Sequence, residues 1–185
     1  MLQLLGVQVG AVQPLQVGEQ RVMSGIRKQA VRGPVAVGAL GLAGDEQADL
    51  TVHGGLAKAV YAYPVEHYAF WQDHRRALGL STELPYGSLG ENLTLSGVQE
   101  ASLYVGDQLR FPDFVLRVTQ PRGPCYKLNA AMDDATAVRT LANSGFSGFY
   151  LAVDGPGSLM TGQAFEIVAG PREMPVMTLF KAGRA

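Results

Sequence analysis

Phe114-Val115-Leu116-Arg117-Val118-Thr119-Gln120-Pro121-Arg122-Gly123-Pro124-Cys125-Tyr126-Lys127 is the stretch on which the reading of the fold turns. Its first half alternates. Phe114, Leu116 and Val118 point to one side, and Val115, Arg117 and Thr119 to the other, the period-2 pattern of a half-buried strand. Its second half breaks that pattern with Pro121 and Pro124, and Cys125, the chain's single cysteine, follows directly. The cysteine therefore sits just past a strand, in a loop held by two prolines.

Outward from this stretch, short apolar segments recur. Residues 1–10, 35–40, 59–62, 93–95, 149–153 and 164–168 read as strands, as do the two arms of 103–111 around a Val105-Gly106-Asp107 turn. Residues 11–34 are mixed, and 81–92 form a Pro/Gly/Ser-rich loop ending at Gly90-Glu91-Asn92. The pattern predicts two inserted helices. One opens at Pro64, a favoured first helical residue, shows Val65, Tyr68 and Trp71 on one face, and stops at Gly79. The other runs from Asp133, its cap, to about Asn143, with Val138 and Leu141 inward and Gly145 as its end. So many short strands expose edges unless the sheet curls up, so the expected fold is mainly β with inserted helices, built as a closed or partly closed barrel.

The 185 residues fit one domain, with no repeat or linker visible, and 47% hydrophobic against 17% charged residues is a globular balance. The 23 glycines and 10 prolines supply turns. A net charge of −1 gives nucleic-acid binding no support. One cysteine precludes an intrachain disulfide and favours a reducing compartment. The N-terminus lacks a signal peptide's basic region, and no run approaches the roughly 18 apolar residues of a membrane span. The expected location is the cytoplasm.

Cys125 leads the candidate chemistry, because Arg122 and Lys127 bracket it and nearby cations favour the reactive thiolate. The bland alternative is a buried, inert thiol. His53-Gly54-Gly55, with Lys58 close by, offers exposed backbone amides to an anion, or is an ordinary tight turn. Asn92 either reads a ligand edge or satisfies loop backbone. His67 and His74, about 10 Å apart along the predicted helix, cannot share one metal. Tyr68 and Trp71 read as core. Asp45, Glu46 and Asp49 read better as a solvated loop than as a cation site. No phosphate-binding Gly-rich motif and no Cys-x-x-Cys is present.

Ordered blocks carry a family resemblance: Gly41-Leu42-Ala43-Gly44-Asp45-Glu46-Gln47-Ala48-Asp49, His53-Gly54-Gly55, Lys58-Ala59, Tyr63-Pro64, Glu66-His67-Tyr68, Gly90-Glu91-Asn92-Leu93, Tyr104-Val105-Gly106-Asp107, and Gln120 through Leu128. Together they resemble the YiiM-like branch of the MOSC family, the domain at the C-terminal end of molybdenum cofactor sulfurases. The resemblance spans about residues 24–168. It implies a β-barrel like the pyruvate kinase insert domain, and binding of molybdenum cofactor, a pterin with a phosphate. It implies that Cys125 ligates the molybdenum, a soft thiolate being a suitable ligand. It further implies reduction of N-hydroxylated compounds such as hydroxylaminopurines. On that basis Lys28, Lys58, Arg122, Lys127 and the Gly54-Gly55 amides are expected to hold the pterin phosphate, and His53 or Asn92 to contact the pterin or donate a proton.

With one cysteine and no visible flavin motif, electrons must come from a separate flavin or iron–sulfur protein. A homodimer is compatible with the resemblance. Longer members continue into a small C-terminal helical domain, which this chain, ending at Ala185, is expected to lack. The alternative function is a cofactor or sulfur carrier using a Cys125 persulfide. Pyridoxal phosphate is discounted, because in the full sulfurases it occupies a separate domain without counterpart here.

Overall fold

The computed structural model describes residues 1–49 and 54–183. In chain order the elements are β1 (Gln3–Val9), β2 (Gln13–Val17), β3 (Gln20–Ser24), β4 (Gln29–Ala30), β5 (Val35–Gly38), β6 (Gly41–Leu42), β7 (Val60–Pro64), α1 (Tyr68–Ala77) and β8 (Leu93–Ser96). There follow β9 (Gln108–Arg110), β10 (Val115–Pro121), α2 (Lys127–Ala131), α3 (Ala137–Ser144), β11 (Phe149–Val153), β12 (Gly157–Leu159), β13 (Glu166–Val168) and α4 (Val176–Ala182).

Eight strands form one curled sheet in the order β13-β9-β10-β11-β7-β8-β1-β4. The curl brings the segment entering β13 back to β1. Gln3 bridges Ala164, and the Leu4 amide donates to the Gln163 carbonyl at 2.9 Å. This partial closure is the mainly β, barrel-like architecture that the alternating segments imply. The expected inward side chains of β10 are buried: Leu116 and Val118 are fully enclosed with Leu4, Leu93, Leu95, Leu109 and Phe149 in the interior.

β7 explains how the helices attach. All five of its residues are buried. Val60 and Ala62 point into the barrel, while Tyr61 and Tyr63 point outward into a second cluster with Tyr68, Trp71, Leu128 and Leu141. Period-2 alternation thus serves two cores from one strand. Trp71 donates its indole N–H to the Tyr63 hydroxyl at 2.6 Å, so Tyr68 and Trp71 are core residues, as expected.

Two helix starts differ from expectation. Pro64 closes β7 rather than opening a helix; a 3-10 turn, Val65–His67, intervenes before α1. Asp133 is not the cap of α3. It adopts a positive φ of 50°, and the helix begins at Ala137. Asp134 does the polar work instead, accepting from the Thr136 amide at 2.8 Å and the Thr136 hydroxyl at 2.7 Å. Gly145 ends α3 in the left-handed region at φ 77°, as predicted. The β2–β3 hairpin, β12, α2 and α4 are additions to the predicted elements.

Candidate functional site

A cleft of about 620 Å³, counting space open to solvent, lies where β7, β10 and β11 meet the loops after β3 and before β8. Seven of the sequence candidates line it: Lys28, Gly54, Lys58, Asn92, Arg122, Cys125 and Lys127. They come from positions as far apart as 28 and 127, and only the fold joins them. Gly55 lies next to the lining, where it precedes a 3-10 turn, Leu56–Lys58, at φ 78°. His53 lies outside the described residues.

The loop after β10 delivers the cysteine. Pro121 still pairs with Phe149 of β11, so the chain leaves the sheet at a fixed point. Cys125 is half-buried, and its carbonyl accepts from the Leu128 amide at 2.9 Å, which starts α2. Lys127, the first residue of α2, donates to the Met23 carbonyl at 3.0 Å, tying the β2–β3 hairpin to the cleft rim.

Arg122 is 4% exposed, which a lone cation would not tolerate. Its guanidinium lies over the Tyr61 ring, 4.9 Å from the centre, and donates to the Leu89 carbonyl at 3.1 Å. Burial opposes its charge, but Tyr61, Tyr150 and Cys125 outweigh that and hold its pKa above the ordinary arginine value. Burial also pushes the Tyr61 phenol upward, so it stays protonated and donates to the Ser147 carbonyl at 2.8 Å.

Leu89 is itself held in place by Glu91. That buried carboxylate accepts from the Gly87 amide at 2.8 Å, the Leu89 amide at 3.1 Å, the Thr94 hydroxyl at 3.1 Å and the Tyr68 hydroxyl. Asn92 spends both ends of its amide on backbone. Its Oδ1 accepts from the Tyr61 amide at 3.0 Å and its Nδ2 donates to the Gln8 carbonyl at 3.2 Å. Of its two readings, the backbone one is realised in this geometry.

The opposite wall corrects one expectation. Asp45 is not in a solvated loop: its side chain is 2% exposed and pairs with Lys28 at 2.5 Å. It also accepts from the Gly10 amide at 2.8 Å, and Glu46 accepts from the Val12 amide at 2.6 Å. These backbone contacts explain why the acids are here, and among the described residues no cluster of acids, histidines and cysteines suits a metal ion by itself. Gly25 permits the fit, since a Cβ there would lie 2.1 Å from the Glu46 carbonyl oxygen. The two helix-region histidines have separate partners, His67 with Glu100 at 2.7 Å and His74 with Asp134 at 2.9 Å. Sequence reasoning missed Tyr61 and Tyr150, which line the cleft. Their only sequence signal was alternation inside short apolar strands.

A barrel-like sheet carrying one cysteine beside basic residues in a cleft defines a domain class. Residues 49–166 match the family model of the MOSC domain, and the chain belongs to that family. Within it the chain falls in the YiiM-like branch. It is 37% identical over 154 residues to Protein YiiM of Escherichia coli, covering 83% of this chain and 67% of that protein. It is 31% identical over 169 residues to a protein named Reductase from Gibberella moniliformis, covering 91% of this chain but 29% of that one. The crystal structure of YiiM from Geobacillus stearothermophilus superposes with a TM-score of 0.77 at 28% identity, covering 99% of this chain and 84% of that one. Among the described residues, no helix is long and apolar enough to cross a membrane.

Proposed function

We propose that the cleft binds molybdenum cofactor, that Cys125 is the protein's ligand to the metal, and that the chain reduces N-hydroxylated compounds. The observation that carries this is the placement of the single cysteine in one cleft with Lys28, Lys58, Arg122 and Lys127. The donor set fits the group. A soft thiolate matches molybdenum. Basic side chains and the Gly54 amide match a pterin phosphate.

The chain's own residues would divide the work. Lys28, which is paired with Asp45, Lys58 and Lys127 would together be the counter-ions for the phosphate. Arg122, locked by Tyr61 and Leu89, would keep a fixed positive charge beside the sulfur. Asn92 would hold the wall between β1 and β7 rather than read the ligand. The cofactor, once bound, supplies the redox chemistry, while the protein supplies position and electrostatics. A separate flavin or iron–sulfur protein would deliver the electrons. The reductase name carried by the Gibberella relative agrees with this reading.

The test is turnover. Protein purified from a cofactor-producing host and supplied with a chemical reductant should convert 6-hydroxylaminopurine to adenine, and Cys125→Ala should not. Absence of conversion by molybdenum-loaded wild type refutes the reductase assignment.

A further inference from the structure

Tyr150 occupies a chemically loaded position. It lines the cleft from β11, half-buried, directly across from Tyr61 in the β7–β11 register. The two rings stand 5.4 Å apart. The Lys58 ammonium lies 6.0 Å from the centre of the Tyr150 ring. Its phenol lies within the electrostatic reach of the Arg122 guanidinium and of Cys125. Its twin, Tyr61, is not available for chemistry, being buried and already donating to the Ser147 carbonyl.

We propose that Tyr150 is the proton donor of the cleft, giving its phenolic proton to the hydroxyl oxygen of the N-hydroxylated substrate as the N–O bond breaks. This rests on the reductase reading above. The bond's electron pair goes to oxygen, which leaves as water. Two electrons from the flavin or iron–sulfur donor and one proton from solvent complete the amine, so R–NH–OH, two electrons and two protons give R–NH2 and water. Solvent then reprotonates the phenolate. Burial pushes the phenol's pKa up against the pull of Arg122, so the group holds its proton at neutral pH until it is needed. Arg122 and Lys58 are placed to stabilise the phenolate that forms.

The experiment compares wild type with Tyr150→Phe in molybdenum content, binding of 6-hydroxylaminopurine and of adenine, and kcat between pH 6 and 8. Metal content and adenine affinity should be unchanged. Affinity for the hydroxylated purine should fall about 2- to 10-fold, the worth of one hydrogen bond. The kcat should fall on the order of 10²- to 10⁴-fold. What remains should rise roughly tenfold per unit fall in pH, because solvent acid replaces the missing donor. A wild-type kcat in the variant, or an equal loss of affinity for both purines, overturns the assignment of Tyr150 alone. A loaded wild type that reduces no N-hydroxylated compound refutes the reductase reading itself, and Tyr150's role with it.

Discussion

The Arg122 guanidinium sits 4.9 Å above the Tyr61 ring while one of its nitrogens donates to Leu89. Arginine's flat, forked head makes both contacts at once, which lysine's single ammonium does poorly. Arg122→Lys should lose a buried cation–π contact worth about 1–2 kcal/mol and a hydrogen bond worth about 1 kcal/mol. Thermal unfolding should shift down by roughly 4–10 °C for a chain of this size. A shift under about 2 °C would mean that the guanidinium is not held as described.

The Lys28–Asp45 pair is almost fully enclosed, which makes its two halves unequal to the whole. Asp45→Ala strands a buried ammonium and should cost about 3–5 kcal/mol in urea unfolding. Replacing both residues by apolar ones, Lys28→Met with Asp45→Leu, should recover much of that loss. If the double variant is as unstable as the single one, the hydrogen bond from the Gly10 amide contributes more than the ion pair.

Glu91 organises the loop that pins Arg122. Glu91→Ala should leave several buried donors without an acceptor, each costing about 1–3 kcal/mol. Amide hydrogen exchange at Gly87 and Leu89 should speed up far more than at β10 amides. Uniform acceleration across the chain would point to global destabilisation instead.

Asp134 gives a pH signature. Burial raises its pKa, but Thr136 and His74 outweigh burial and hold it below the ordinary carboxylate value. A depressed folded-state pKa contributes stability above the unfolded value of about 3.9, and that contribution is lost as pH falls through the folded one. The stability gap between wild type and Asp134→Asn should therefore be full at pH 6 and shrink in the acid limb below about pH 4. A gap that stays constant down to about pH 2 would contradict the depressed pKa.

The barrel is legible in the sequence because its strands alternate. Leu116 and Val118 can be assigned inward from spacing alone, and Gly145 reads as a helix end from glycine's tolerance of positive φ. The starts of α1 and α3 are not legible, because Pro64 and Asp133 have ordinary roles both in helix caps and in strand ends or turns. The β2–β3 hairpin is hidden because most of its residues are exposed, leaving little apolar period to detect. Residue type and family pattern point to the cleft's candidates. Their assembly is beyond sequence reasoning, because Lys28, Lys58 and Cys125 are far apart in the chain and meet only in the folded sheet. Asp45 escapes it for the same reason: a three-acid loop looks solvated until Lys28 and the Gly10 amide are seen beside it.

Whether Cys125 holds molybdenum decides between the two functions open to this cleft. The deciding experiment is elemental analysis for molybdenum in protein purified from a cofactor-producing host, wild type beside Cys125→Ala, with thermal unfolding to verify that both are folded. Metal near one equivalent is expected in the wild type and little in the variant. Equal metal in both would remove Cys125 as the ligand, and metal in neither, from a host that loads other molybdenum proteins, would leave the persulfide carrier as the better description of this cleft.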